Sequence, residues 1–303
     1  MSKEKWTIDN MPDLTGRVII VTGGNSGLGY ESVKAFADKG AKVILTSRNI
    51  EKGEKAKNDI GQTKGKIDVM QLDLASFDSI KSFAKLFKSK YKRLDVLMNN
   101  AGIMTTPYHL TKDGLEAQNG VNHYGHFLLT GLLLDLVRKT PGSRVVNVSS
   151  NAHKQGKMDF DNLLFENGNG YSPIKSYGRS KLKNLLFTLE LQKRFDQNQI
   201  DALALSAHPG VAETNLAQHL ENKIWFKMLT PLFKLIAQSQ AQGALPQIRA
   251  AVDPDAKGGE YYGPHKGMKG DPVVVSSNGD SKNTEYANKL WEVSESLTGV
   301  KPL

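Results

Sequence analysis

Short runs of apolar residues alternate with longer stretches of helical period from the start of the chain to about residue 210. The runs 18–22, 43–47, 67–72, 96–99, 144–149 and 202–207 are short, predominantly apolar and in several cases rich in β-branched residues, which predicts strands buried on both faces. Between them apolar residues recur at three- and four-residue steps, which predicts helices near 29–39, 50–60, 76–91, 115–137 and 177–194. Fully buried strands separated by amphipathic helices form a parallel sheet with helices on both faces. Right-handed crossovers then make an α/β, doubly wound sheet the expected architecture, with 272–276 as a late edge strand.

No repeat, low-complexity tract or Pro/Gly/Ser-rich linker divides the chain, so residues 1–303 are expected to form one domain. Two stretches interrupt the alternation. One, 151–176, is rich in Gly, Asn and Lys; the other, 211–249, is helical in pattern around 225–237. Both follow the C-terminal ends of strands, where open α/β sheets bind ligands, so both are expected to wall a substrate pocket. Met104, Tyr108, Phe160, Phe165, Tyr171, Trp225 and Phe233 are its expected apolar lining. The stretch Trp225, Phe226, Met228, Leu229, Leu232 and Phe233 reads as a lid over that pocket, ahead of an interfacial membrane helix.

Charge adds little to this picture. Forty Lys and Arg against 31 Asp and Glu leave +9. The densest basic run, Lys81 to Arg93, carries Phe83, Leu86 and Phe87 at helical spacing, which is the pattern of a solvated helix face, and no nucleic-acid partner is expected. The chain has no cysteine, which excludes disulfides, thiolate nucleophiles and cysteine-ligated metals. No run approaches the ~18 apolar residues of a spanning helix. The opening residues, MSKEKWTIDNMPD, alternate charge and polarity, so no secretory leader and a cytoplasmic location are expected.

Thr22-Gly23-Gly24-Asn25-Ser26-Gly27-Leu28-Gly29 leads from the first predicted strand into the first predicted helix. Glycines there let the backbone turn tightly and approach a pyrophosphate, whose charge the helix N-terminus stabilises. Gly23, Asn25, Ser26, Gly27, Leu28 and Gly29 are therefore candidate cofactor contacts. Arg48 stands 19 residues after Gly29, where an acidic residue would hold an unmodified adenosine ribose. An arginine there suits a ribose bearing a 2′-phosphate, so NADP is the expected cofactor. Asp73 and Leu74, after the third strand, are expected on the adenine side.

Tyr177-Gly178-Arg179-Ser180-Lys181 sets a phenol and an ammonium four residues apart on one helix face. A lysine charge about 4 Å from the phenol is worth ~4 kcal/mol at an effective dielectric of 20, enough to bring a pKa of about 10 roughly three units closer to neutrality. Such a phenol is a competent general acid for a carbonyl and general base for an alcohol. Ser149-Ser150 end the fifth strand and Asn99-Asn100-Ala101-Gly102 the fourth. Asn122, in an otherwise apolar helical stretch between Gly120 and Gly125, calls for a hydrogen-bonding task. His123, His126 and His153 lie nearby, but no carboxylate or further histidine completes a ligand set; packing or surface roles and no metal are expected.

The combination of TGGNSGLG, NNAG, Asn122, the SS pair and YGRSK resembles the short-chain dehydrogenase/reductase family over nearly the whole chain. GVNHYGHFLLT, RVVNVSSNAH, HPGV and GGEYYGP are similar to its retinol-dehydrogenase-like branch, including WW-domain oxidoreductase relatives. The resemblance implies an NADP-binding Rossmann domain and an enzyme that moves a hydride between nicotinamide and an apolar carbonyl or alcohol, retinal-, steroid- or lipid-aldehyde-like. It implies Tyr177 as general acid/base and Lys181 as the residue that lowers its pKa and holds the ribose. It further implies Ser150 as the group orienting the substrate oxygen, and Asn122 as the holder of a relay water. Asn100, Ala101 and Gly102, and the turn Pro209, Gly210 and Val211, would adjoin the cofactor. The 27 residues from Ser150 to Tyr177 exceed the spacing common in the family, as in the retinol-dehydrogenase-like branch. The membrane-anchoring N-terminus of some members is not seen, so a soluble relative is expected, with homo-oligomerisation left open. A protochlorophyllide-type ring reductase shares the motif set. From another class, an NADP(H)-sensing scaffold would keep the nucleotide loop without needing Asn122, Ser150, Tyr177 and Lys181.

Overall fold

A computed structural model describes residues 5–211, 238–277 and 279–303. Strands β1 (Val18–Val21), β2 (Lys42–Ser47), β3 (Lys66–Gln71), β4 (Val96–Asn99), β5 (Ser143–Val148), β6 (Ala202–Ala207), β7 (Tyr261–Pro264) and β8 (Pro272–Val274) form one sheet. Its order is β3-β2-β1-β4-β5-β6-β7-β8. All neighbours are parallel except β8, which runs antiparallel to β7 at the edge. The sheet order reverses between β1 and β4, and ligands bind outside the C-terminal strand ends at such a point.

The six predicted strands and the late edge strand are present within a residue or two of their expected bounds, whereas β7 was not anticipated. Helices α1 (Gly27–Asp38), α2 (Ile50–Ile60) and α3 (Phe77–Lys90) follow the first three strands. Helix α4 (117–139) is α-helical at Ala117–Asn119, π-helical at Gly120–Tyr124 and α-helical again at Gly125–Lys139. Helix α5 (Pro173–Gln197) begins one turn before the expected start because Pro173 occupies its first turn, where a missing N–H costs no hydrogen bond. Two helices lay outside the expectation, α6 (Gln240–Val252) and α7 (Thr284–Thr298). The helix expected around 225–237, with Trp225 and Phe233, lies outside the described residues.

Alternation along β1 divides the core. Ile19 and Val21 pack with Val33 and Phe36 of α1 and Ile248 and Val252 of α6 on one face. Val18 and Ile20 pack on the other with Phe83 and Phe87 of α3, Phe127 of α4 and Leu191 of α5. On α3 the apolar stripe is Ile80, Phe83, Ala84 and Phe87; Leu86, one step off that stripe, is exposed. Trp291 of α7 is wedged between Phe127 and Phe187, with ring centroids 5.0 and 6.0 Å away, and closes the core over α4 and α5. Among the described residues no helix is long and apolar enough to cross a membrane.

Candidate active site

The loop between β1 and α1 opens into a cleft of about 330 Å³, at the small end of ligand sites. Gly23, Asn25, Ser26, Gly27, Leu28 and Gly29 line it from one side, Asn100, Ala101 and Gly102 from below, and Tyr177, Lys181 and Pro209 from the other. These expected residues thus meet in one place, although 152 positions separate Gly29 from Lys181 in the chain. The backbone packs too tightly for side chains: a Cβ on Gly29 would lie 2.3 Å from the Gly23 carbonyl oxygen and 2.6 Å from Asn100 Nδ2. Gly23 itself takes φ +65°, in the left-handed region that favours glycine. A bare backbone cradle at the N-terminus of a twelve-residue helix fits a pyrophosphate.

Thr22 ties this loop to the end of β4. Its hydroxyl oxygen accepts the backbone N–H groups of Asn100 (2.8 Å) and Ala101 (2.9 Å), while Asn100 Nδ2 donates to the Thr22 carbonyl. Gln247 of α6, fully buried, donates to Asn100 Oδ1 and Ser32 Oγ and so braces Asn100 from behind.

On the opposite wall Tyr177 is buried, with Ser150 beside its phenol; the Ser150 hydroxyl accepts from Ala152 N (3.2 Å), and it is Ser149 that lines the cleft. Burial pushes the phenol pKa up to about 12, and the neighbouring Ser150 hydroxyl acts against that rise. Lys181 Nζ donates to the Val148 carbonyl (2.9 Å) and sits 5.7 Å from the centroid of the Tyr177 ring. No hydrogen bond joins the ammonium to the phenol, and with burial dominant the net shift of the Tyr177 pKa is upward rather than the expected fall. Burial instead draws Lys181 itself down to about 8.

Asn122 sits in the π-helical turn of α4, a geometry frequent at functional sites. Its amide clasps Ile103 from both sides: Oδ1 accepts from Ile103 N (2.8 Å) and Nδ2 donates to Ile103 O (3.0 Å). The second Nδ2 proton goes to Ser180 Oγ on α5. Both side-chain protons of Asn122 are engaged, which leaves it able only to accept from a relay water. The clasp places Asn122 and Lys181 on either side of Gly102, whose Cβ would lie 3.2 Å from Asn122 Oδ1 and 3.5 Å from Lys181 Nζ.

Other expected residues stand apart from the cleft lining. Arg48 is exposed at the end of β2, its carbonyl held by Gln71 Nε2. Asp73 closes the turn after β3 by accepting from Ala75 N, and Leu74 is buried in the core, its carbonyl oxygen against Gly125. Gly210 takes φ +69° with Met268 O against it, and Val211 N donates to Met268 O. Of the expected apolar lining, Met104 faces the cleft. Tyr108 and Tyr171 meet edge to face, and Tyr171 is fixed by Gln118 and the Thr106 carbonyl. Phe160 instead packs on Tyr286 of α7, and Phe165 lies buried under the Arg179 guanidinium, so neither lines the cleft. Ile103, Val148 and Gln118 were not anticipated, because neither spacing nor residue type marks them. His123, expected to be a packing group, bonds Ser294 of α7 deep in the core.

A family model for short chain dehydrogenases matches residues 17–162. Retinol dehydrogenase 12 of Mus musculus is 40% identical over 292 residues, covering 95% of this chain and 88% of that protein. The chain belongs to the short-chain dehydrogenase family. It is an oxidoreductase of the class acting on CH–OH groups. Retinol dehydrogenase 11 of Homo sapiens is 38% identical over 291 residues, covering 95% of this chain and 87% of its own length. Among solved structures, an uncharacterised protein from Mycobacterium paratuberculosis superposes with a TM-score of 0.83 at 37% identity over 99% of both chains. The Pseudomonas aeruginosa protein RhlG, solved with NADP, shares the fold with a TM-score of 0.66 at 22% identity, over 83% of this chain and 95% of its own.

Proposed function

We propose that the protein is an NADPH-dependent reductase of apolar carbonyls, retinoid-like aldehydes first among them, and that Asn122, Ser150, Tyr177 and Lys181 are its catalytic set. The observation that carries the reading is the convergence of Tyr177 and the buried Lys181 on the cleft that the bare glycine loop lines. The nicotinamide, when bound, supplies the hydride. The residues of the chain do the rest. Tyr177, fully protonated with a pKa of about 12, is in the state required to give its proton to the carbonyl oxygen. Ser150, beside the phenol, offers its hydroxyl to the same oxygen. Lys181 keeps a positive charge beside the ring at neutral pH, which opposes the phenolate's cost as the proton leaves. Asn122 holds the Ile103 backbone that lines the cleft.

The retinoid preference draws on relatives whose names are retinol dehydrogenases and on the apolar Ile103, Met104 and Val148 at the cleft. The NADP preference draws on Arg48 standing where a carboxylate would be, and on RhlG having been solved with NADP. The test is the purified protein with NADPH and all-trans-retinal, following loss of the reduced nicotinamide and the appearance of retinol. Turnover is expected. Binding of NADPH with no turnover of retinal, a long-chain aldehyde or a steroid ketone would instead favour the sensing-scaffold reading.

A further inference from the structure

His126 lies on α4 one turn beyond Asn122, is 1% exposed, and uses both ring nitrogens on partners from different parts of the chain. Nδ1 is 3.1 Å from the backbone carbonyl of Asn122, and Nε2 is 2.9 Å from Thr22 Oγ1. A carbonyl only accepts, so Nδ1 carries the proton. Thr22 Oγ1 already accepts two backbone N–H groups, from Asn100 and Ala101, so its own proton is the one that Nε2 receives. The Met98 carbonyl, the other acceptor near that proton, is farther at 3.3 Å. The tautomer is thus set by its surroundings: Thr22 O–H to Nε2, Nδ1–H to Asn122 C=O.

We infer that His126 is a positioning residue that couples the cofactor loop to the catalytic helix, holding Thr22 with one nitrogen and the Asn122 carbonyl with the other. The consequence differs at the two ends. On the Thr22 side the bond fixes the hydroxyl that gathers Asn100 and Ala101 under the glycine loop, where the cofactor is expected. On the Asn122 side it takes the backbone carbonyl of the residue whose side chain clasps Ile103 and Ser180, in the π-helical turn. Burial keeps the ring neutral, with its pKa down to about 4, and only a neutral ring can donate on one side and accept on the other. This coupling rests on the catalytic and cofactor assignments proposed above.

Two substitutions separate the ends, because an asparagine amide overlaps the Nδ1 position of histidine and a glutamine amide the Nε2 position. His126→Asn keeps a donor for the Asn122 carbonyl and releases Thr22; His126→Gln keeps an acceptor for Thr22 and releases Asn122. Losing one such hydrogen bond corresponds to a roughly three- to tenfold effect. His126→Asn is expected to weaken NADPH binding by that factor with the single-turnover rate on retinal nearly unchanged. His126→Gln is expected to slow the single-turnover rate by that factor with NADPH affinity nearly unchanged. Thermal unfolding is followed alongside. Variants that both leave affinity and rate at wild-type values, or lose both together in step with unfolding temperature, overturn the coupling. Should wild type prove inactive on retinal, the binding arm still decides: equal NADPH affinity in the two variants refutes the Thr22 link. Tyr177→Phe, run in parallel, reports on the catalytic assignment alone, since normal turnover there discards that assignment whatever the His126 variants do.

Discussion

Lys181 Nζ donates to the backbone carbonyl of Val148 at 2.9 Å, and the Tyr177 ring centroid lies 5.7 Å from the same nitrogen. The lysine is anchored to the end of β5, the strand that leads directly into Ser149 and Ser150. Its hydrogen bond fixes where the charge sits, while its burial makes that charge costly to keep. The tyrosine therefore rests protonated, the state that the proposed donation of a proton to a carbonyl requires, with a cation on the same side of the cleft.

Removing the phenol hydroxyl tests the proton donor directly. Tyr177→Phe keeps the ring and its packing but deletes the proton. The rate on any accepted carbonyl is expected to fall by at least about a hundredfold, the scale of general acid catalysis. NADPH affinity, measured by fluorescence titration, is expected to stay within error of wild type. Near-normal turnover would remove Tyr177 from the mechanism.

The Lys181 charge gives a pH dependence with a definite sign. Its pKa in the folded protein is lowered to about 8 from an ordinary 10.5, so the ammonium is lost as pH rises through about 8. If the charged form assists NADPH binding, affinity is highest below that pH and falls above it. The same shift makes the apoprotein more stable as pH rises from about 8 toward 10.5, because the unfolded chain then binds more protons than the folded one. NADPH titrations across this window, with Lys181→Met as the flat control, check the first statement. An affinity that is flat in wild type would refute it.

Much of this architecture was legible because it repeats simple periods. Val18, Ile19, Ile20 and Val21 are buried in turn on opposite faces, and that unbroken apolar run is what marks a central parallel strand. The glycine loop was legible because a strand, a turn and a helix meet there in register with a phosphate-binding geometry. The Tyr177–Lys181 spacing could be read as a helix face, but not where the ammonium would point; the carbonyl that claims it belongs to Val148, 33 positions away. Phe160 and Phe165 looked like pocket residues because their segment follows a strand end. Their partners, Tyr286 on α7 and Arg179 on α5, are tertiary contacts that no local pattern announces. Helix α7 is not marked in the sequence, because Thr284–Thr298 is nearly balanced between apolar and polar residues and Trp291 gains its meaning only from Phe127 and Phe187.

Gly29 offers a steric test of the cradle. Gly29→Ala would set a methyl group 2.3 Å from the Gly23 carbonyl oxygen, backbone that cannot swing aside as a flexible side chain can. Overpacking of this kind costs about 1–3 kcal/mol, which as lost binding energy is roughly five- to a hundredfold in NADPH affinity. Isothermal titration measures it. Unaltered affinity would place the pyrophosphate elsewhere.

Asn122→Leu tests the clasp on Ile103. Leucine fills a similar volume but leaves Ile103 N–H and C=O and the Ser180 hydroxyl without their partner. Unsatisfied groups of this kind cost about 1–3 kcal/mol each when buried, so the denaturant midpoint is expected to fall along with the rate. Asn122→Asp, which can still accept from Ile103 N but not donate, should lie between. A leucine variant as stable as wild type would show that the clasp contributes nothing.

The proposed preference for NADPH turns on Arg48. It is exposed at the C-terminal end of β2, and its neighbour Ser47 is buried with its hydroxyl given to the Asn49 carbonyl, so Ser47 is not free to hold a phosphate. The guanidinium is thus the group of this pair left to meet a 2′-phosphate, through charge-assisted hydrogen bonds worth roughly 1.5–3 kcal/mol. That energy is about a ten- to hundredfold preference for NADPH. Arg48→Ala is expected to erase it by weakening NADPH while leaving NADH nearly unchanged. Arg48→Asp is expected to go further and invert it, since a carboxylate repels the phosphate and accepts from the free ribose hydroxyls. The substitution at Arg48 is preferable to one at Ser47, because a carboxylate at the buried Ser47 position would lose the bond to Asn49 and bring a charge into the core. kcat/KM for both cofactors in wild type and the two variants decides the matter. A wild type that already favours NADH, or an Arg48→Ala protein with an unchanged ratio, would refute the NADP assignment while leaving the roles of Tyr177 and Ser150 standing.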